Sequence, residues 1–256
     1  MDRRAHILDL ARREGRVTVD GLAATLGVSA HTIRRDLNML CDEARLRRLH
    51  GGAEYIEGRA NIPYQARAVL NYGAKLAIGR AVAAIVPDGA TVALSVGTTP
   101  ALVAGALARR RGLTIVTNNI NAAVALSEAE DARIVIPGGE LRLPDRDLLN
   151  DDAVALFAAY RADFGIYGVG GIDADGSLLD FHEAEVRARE AIRANAREAI
   201  LVADRSKFGR RAAAVGGHIA DADHVALDQP PDPPHAALLG DLPGRVLLAE
   251  AEVSNV

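Results

Sequence analysis

Apolar positions along this chain change period several times, and the changes mark out its elements. Ile7, Leu8, Leu10 and Ala11 fall at helical spacing and predict a first helix ending near Gly15. Val17-Thr18-Val19 follows as a short strand. Leu22, Ala23 and Leu26 predict a short helix from about Val19 to Leu26, and a turn at Gly27 separates it from a longer one. In that longer helix Ile33, Leu37 and Leu40 follow at spacings of four and three, so they share one buried face. Ser29 stands just before it, where a hydroxyl accepts an early helical N–H that has no partner of its own. Arg45-Leu46-Arg47-Arg48-Leu49-His50 alternates apolar and basic residues as a half-exposed strand does, and Gly51-Gly52 turns it back into a hairpin.

Beyond Gly51 the periodicity breaks, with Gly58 and Pro63 inside the break. This places a linker at 57–73 between a first domain at 1–56 and a second at 74–256. An apolar helical period resumes from Gln65 to Ile85 and stops before Pro87-Asp88-Gly89. Strands are then predicted at 91–95, 114–117, 133–137, 163–169, 199–203 and 224–227, with helices at 99–110, 119–128, 151–160 and 183–197 between them. Such alternation predicts an α/β domain, Rossmann-like, with a mostly parallel sheet covered by helices on both faces. A sheet of this kind binds ligands beyond the carboxyl ends of its strands. Pro230, Pro231, Pro233 and Pro234 form a stiff connector.

Composition adds limits. Hydrophobic residues make up 49% of the 256, with 4% aromatics and no Trp, which describes a core of Ala, Val, Leu and Ile. Cys41 is the only cysteine, so no internal disulfide forms. No apolar run suits a signal peptide or a membrane span, and the expectation is a soluble, cytoplasmic chain with no membrane partner. Residues 1–56 carry a net charge of +2 and the remainder −6, for a total of −4. A nonspecific nucleic-acid coater is thereby excluded, while local positive surfaces remain.

One such surface is the outer face of the helix after Ser29, which presents His31, Thr32, Arg34, Arg35 and Asn38. Arg and Asn make paired contacts to base edges, and Arg also neutralises phosphate. With the preceding short helix and its turn, this forms a helix-turn-helix over about 20–39. The basic hairpin carrying Arg48 and His50 then reads as a wing, and the whole as a reader of a specific double-stranded DNA site. Few phosphate contacts are expected per subunit, with homo-oligomerisation supplying the rest.

A second candidate site begins at Val96-Gly97-Thr98-Thr99, directly after a predicted strand and opening a helix. Glycine lets backbone approach a ligand, and the helix start offers N–H groups and partial positive charge, which suits phosphate. Thr117-Asn118-Asn119, Pro137-Gly138-Gly139-Glu140, Gly168-Val169-Gly170-Gly171 and Asp204-Arg205-Ser206-Lys207 end later strands, and so collect at the same sheet edge. Lys207 is one of two lysines against 28 arginines and reads as a compact cation for phosphate. No metal, cofactor or catalytic residue is assigned.

Several motifs resemble the DeoR family of bacterial transcriptional regulators. They are Val28-Ser29, Thr32-Ile33-Arg34-Arg35-Asp36-Leu37, Leu49-His50-Gly51-Gly52-Ala53, Gly97-Thr98-Thr99, Thr117-Asn118, Gly138-Gly139-Glu140 and Ser206-Lys207-Phe208-Gly209. Within the family, Ile115–Asn121 and Gly171–Leu179 are most similar to the branch that responds to glycerol 3-phosphate. The resemblance implies a winged helix-turn-helix followed by a sensor domain related to sugar-phosphate isomerases. It implies a dimer or tetramer released from its operator by a phosphorylated polyol or sugar. Gly97, Thr98, Thr99 and Lys207 would hold the phosphate and Asn118, Gly139 and Glu140 the polyol, with Ser95, Gly138, Gly170 and Arg189 completing the site. The chain departs from the family pattern at Ser95, where relatives place Asp, at Arg189-Glu190, where they place Lys-Arg, and in the acidic 147–152 loop. Those departures keep a non-sensing, oligomerising scaffold as an alternative. Isomerase activity is disfavoured, because the turn at Tyr167–Gly171 lacks the acids of the isomerases.

Overall fold

The computed structural model describes residues 3–249 other than 15, 43, 44, 50, 56–60, 62, 144, 234, 241, 243 and 244. It divides into two units, Met1–Ala60 and Asn61–Val256. The first contains α1 (Arg3–Glu14), β1 (Arg16–Thr18), α2 (Val19–Leu26), α3 (Ala30–Asp42), β2 (Leu46–Leu49) and β3 (Gly52–Tyr55). Ile7 and Ala11 of α1, Leu22 of α2, Ile33, Leu37 and Leu40 of α3, and Leu46 of β2 form its core. The helical spacing thus places one face of each helix in a common interior. β1 and β2 flank β3 in an antiparallel sheet. Thr18 caps α2 by accepting from Gly21 N at 3.1 Å. Gly27 ends α2 at φ 64°, a left-handed conformation that glycine adopts without the steric cost of a Cβ. Ser29 Oγ accepts from Thr32 N at 3.2 Å and so starts α3. Asp36 is buried and takes the Arg3 guanidinium at 2.5 and 3.3 Å, which joins α1 to α3.

The second unit opens with α4 (Tyr64–Val69) and α5 (Tyr72–Ile85). The single helix expected over 65–85 is therefore two, and part of the segment read as linker belongs to this unit. The break lies at Leu70–Asn71, with Asn71 at φ 52°. Lys75 Nζ donates to the carbonyls of Arg67 and Leu70 at 2.6 and 2.5 Å, satisfying the end of α4. α5 buries Ile78 and Val82, whereas α4 buries no residue.

There follow β4 (Thr91–Leu94), α6 (Thr98–Leu107), β5 (Thr114–Thr117), α7 (Ile120–Ala125), β6 (Arg133–Val135), α8 (Asp151–Ala158), β7 (Ala162–Tyr167), β8 (Gly171–Ile172), β9 (Ser177–Asp180), α9 (Glu183–Ala194), β10 (Ala196–Ala203), β11 (Ala214–His218), β12 (His224–Leu227), α10 (Ala237–Gly240) and β13 (Arg245–Leu248). Seven strands form one parallel sheet in the order β13-β12-β10-β7-β4-β5-β6. Alternate residues of β4 face opposite layers: Val92 and Leu94 pack with α5, α6 and α7, and Ala93 with α8 and α9. The chain lays β5 and β6 on one side of β4 and the later strands of this sheet, β7, β10, β12 and β13, on the other. Its direction of winding reverses between β4 and β7, and that reversal fixes where a ligand crevice opens. The antiparallel sheet β11-β9-β8 and the edge strand β13 were not anticipated. β8 has two residues, and β11 contains Gly216 and Gly217 and is bulged against β9, so neither shows an alternating pattern. Among the described residues no helix is long and apolar enough to cross a membrane.

Candidate functional site

Ser29, just before α3, and His31, Arg34, Arg35 and Asn38 on it are exposed, and Thr32 is half-buried with its hydroxyl 2.9 Å from that of Ser29. They occupy the face opposite Ile33, Leu37 and Leu40 because those three fix the helix's rotation in the core. Arg48 is exposed on β2. His50 lies outside the described residues.

The second site is a cleft at the reversal between β4 and β7. Its floor comes from the two loops that leave these strands, Val96–Pro100 and Gly168–Gly170. Ser95 stitches them together: its N donates to Ile166 O at 3.0 Å, and its Oγ accepts from Gly168 N at 3.2 Å. Asn119 holds the first loop from behind, its Nδ2 donating to Ser95 O and Gly97 O at 3.2 and 3.0 Å. The same Asn119 caps α7 through Oδ1, so one side chain sets both loop and helix. Gly97 takes φ 116°, outside the range of ordinary L-residues, and delivers the chain into α6. The first N–H groups of α6 have no helical acceptor, and Thr98 and Thr99 of that first turn line the cleft.

Charged side chains form the remaining walls. Lys207 and Arg210, from the turn after β10, enter from one side, and Arg67 of α4 from another. Burial pulls the Lys207 ammonium down to about 7, with Arg210 adding to the effect. Burial also lowers Arg210, to about 10, reinforced by Arg67. The Arg210 guanidinium lies 4.9 Å above the Phe181 ring and donates to Gly170 O and Asn61 Oδ1, each at 3.2 Å. Asp145, Asp147, Asp180 and Glu185 supply carboxylates. Arg142 grips Asp147 through two bonds of 2.8 Å and reaches Glu185 at 3.1 Å and Asp145 at 3.3 Å. Arg67 pairs with Asp145. Asp180 accepts from Gly170 N at 2.8 Å and from Arg189 Nε at 3.1 Å. Burial pushes its carboxyl up to about 6 against the opposing pull of Arg189.

Of the effector residues expected from the sequence, Gly97, Thr98, Thr99, Gly170 and Lys207 meet in this cleft. Ser95 lies beneath them, 3% exposed. The remaining five are not among the residues that line the cleft. Asn118 is buried with Nδ2 on Leu148 O at 3.0 Å, so it orders the 147–152 loop instead of lining the cleft. Gly138, Gly139 and Glu140 are exposed after β6, the outermost strand, two places from the reversal. There Gly138 O accepts from Asn150 Nδ2 at 3.0 Å, and Asn150 caps α8. Arg189 is 2% exposed and sits behind Asp180, also bound to Glu190 and Gly216 O. The acidic loop does approach the cleft, but through Asp147, which Arg142 neutralises. Asp151 and Asp152 point out to solvent at the start of α8.

Sequence reasoning missed Asn61, Arg67, Asp145, Asp180, Phe181, Glu185 and Arg210. Only Arg210 carried a local signal, three residues after Lys207. Among the described residues no group of His, Cys, Asp or Glu is arranged to hold a metal ion.

Comparison with known proteins agrees with this layout. Residues 3–59 match the DeoR-like helix-turn-helix domain and residues 70–229 the DeoR C terminal sensor domain. The glycerol-3-phosphate regulon repressor of Escherichia coli is 43% identical over 225 residues, covering 88% of this chain and 89% of its own. The protein of the same name from Haemophilus influenzae is 40% identical over 230 residues, covering 90% of each. Among solved structures, a ribose 5-phosphate isomerase from Methanocaldococcus jannaschii aligns over 54% of this chain and 55% of its own, at 17% identity and a TM-score of 0.39. The chain belongs to the DeoR family of transcriptional regulators, with a helix-turn-helix DNA-binding domain followed by a sensor domain.

Proposed function

We propose that the chain is a repressor of carbohydrate or glycerol metabolism that leaves its operator when a phosphorylated polyol or sugar, glycerol 3-phosphate foremost, fills the cleft. The observation that carries this reading is the mixture of charges at one place. The N–H groups of Thr98 and Thr99, with Lys207 and Arg210, suit a phosphate. Asp147, Asp180 and Glu185 stand beside them, and carboxylates accept hydrogen bonds from hydroxyls. A ligand with a phosphate at one end and hydroxyls at the other satisfies both sets. The names of the two relatives point to the same compound.

In this reading Arg34, Arg35 and Asn38 contact base edges, with His31, Thr32 and Ser29 at the helix start. Arg48 and His50 of the wing meet the sugar-phosphate backbone. Two or more subunits bind together, each placing α3 in a major groove of a repeated operator. Release requires that the ligand bind one subunit arrangement better than another, since equal affinity for both shifts nothing. A gel-shift titration with the DNA upstream of the chain's own operon, repeated with a panel of phosphorylated metabolites, tests the proposal. Operator binding that no phosphorylated metabolite weakens would favour the non-sensing scaffold. Thr98→Val is expected to keep operator binding while blunting release.

A further inference from the structure

Polar side chains tie helix α4 and its flanks to the cleft. It has six residues and buries none of them. Its Arg67 enters the cleft and pairs with Asp145, both side chains being well covered at 13% and 15% exposure. Upstream, Asn61 Oδ1 accepts from Arg210, which also lines the cleft. Downstream, Asn71 Nδ2 donates to Asp204 Oδ1 and Ser206 Oγ at 3.1 and 3.2 Å, in the turn that carries Lys207. These ties end on Arg210, a cation of the cleft, on Asp145, which lines it, and on the turn that carries Lys207.

Breaking a buried ion pair ordinarily strands a charge, which makes such pairs poor switches. Asp145 is arranged differently. Arg142 Nη2 already stands 3.3 Å from its second oxygen, so the carboxylate keeps a cation if Arg67 departs. Asn121 Nδ2 holds the Asp145 carbonyl at 3.1 Å, which keeps the acceptor in place during the exchange.

We propose that α4 is the element through which the cleft acts on the preceding chain: an anionic ligand draws Arg67 away from Asp145, Arg142 takes over Asp145, and α4 exchanges its anchor on the 145 loop for one on the ligand. This rests on the phosphate reading of the cleft. Arg67 is thus a ligand-contacting and coupling residue, and Asp145 is the ligand's competitor for it. The ligand's preference for the exchanged state supplies the differential affinity that release requires.

The test uses the full chain, glycerol 3-phosphate as probe and the operator fragment upstream of its own gene. In the wild type, saturating probe is expected to weaken operator binding by at least about fivefold and to change amide hydrogen exchange over 64–70. Arg67→Met keeps the side chain's length without its charge. It is expected to bind the probe more weakly, yet at saturation to release operator less than wild type, with no change in exchange over 64–70. Asp145→Asn removes the carboxylate that pairs with Arg67, so the probe-free variant should already show the altered exchange and weakened operator binding. If Arg67→Met takes up the probe and releases operator like wild type, the coupling falls while the phosphate reading stands. If Arg67→Met takes up no probe, Asp145→Asn decides alone, and wild-type behaviour there also overturns the coupling. A wild-type chain that takes up no probe overturns both.

Discussion

Arg34, Arg35 and Arg48 stand exposed on the first unit, whereas Arg67, Arg189, Lys207 and Arg210 of the second are set in or behind a cleft among carboxylates. In water, exposed cations interact through a screened field, which suits a long polyanion such as DNA. Within the cleft the lower dielectric strengthens each contact and opposes charging, so Lys207 falls to about 7 and Asp180 rises to about 6. One unit displays its charges to solvent, while the other holds its charges paired and partly buried in a cleft.

The largest expected effect lies on the buried side of this contrast. Arg189→Met leaves Asp180 buried without its cation and is expected to lower the stability of the second unit by about 3–5 kcal/mol, read by chemical denaturation. Because the Asp180 pKa is already raised in the fold, the neutral acid is the better-tolerated form. The loss should therefore be smaller at pH 5 than at pH 8. An equal loss at both would remove Asp180 as its cause.

Lys207→Met should weaken glycerol 3-phosphate binding by about 1.5–3 kcal/mol and leave operator affinity unchanged, measured by calorimetry and gel shift. Its titration gives a sharper test. The ligand-free ammonium loses its proton near pH 7, and a phosphate favours the charged form, so binding takes up a proton above that pH. Affinity should decline as pH rises from 7 to about 9, toward the ordinary lysine range. Lys207→Arg, charged throughout, should flatten the profile.

On the exposed side, Arg35→Ala is expected to weaken binding to the specific operator by about 1–3 kcal/mol, with a smaller effect on unrelated DNA, checked by fluorescence anisotropy. An equal loss on both would assign Arg35 to backbone contact. Ser29→Ala removes the acceptor for Thr32 N and should cost about 1 kcal/mol of stability in the first unit.

The same contrast explains what could be read from the sequence. The helix-turn-helix depends on short-range causes: Ile33, Leu37 and Leu40 set the face, Gly27 makes the turn and Ser29 makes the cap. All lie within one stretch of chain, so their pattern is visible there. Gly97-Thr98-Thr99 was legible for the same reason, being a strand end and a helix start in immediate succession. Arg67, Asp145, Asp180, Glu185 and Arg210 come from distant segments, and in sequence each resembles a solvated surface charge. Only the strand order, with the reversal beside β4, brings them together. That order also sets Gly138-Gly139-Glu140 apart from the cleft: a glycine-rich strand end suggests a ligand loop, and β6 is the edge of the sheet, two places from the reversal.

The central place of β4 has a consequence for how the protein is made. Its partner β5 follows within some twenty residues, yet β7, across the cleft, and the turn bearing Lys207 and Arg210 emerge much later. At ordinary synthesis rates, the interval between completion of the first unit and arrival of Arg210 is roughly 10–30 s. During that interval a nascent chain carries a complete helix-turn-helix unit and an incomplete cleft, so under the proposed function its response to a metabolite waits for the turn that bears Lys207 and Arg210.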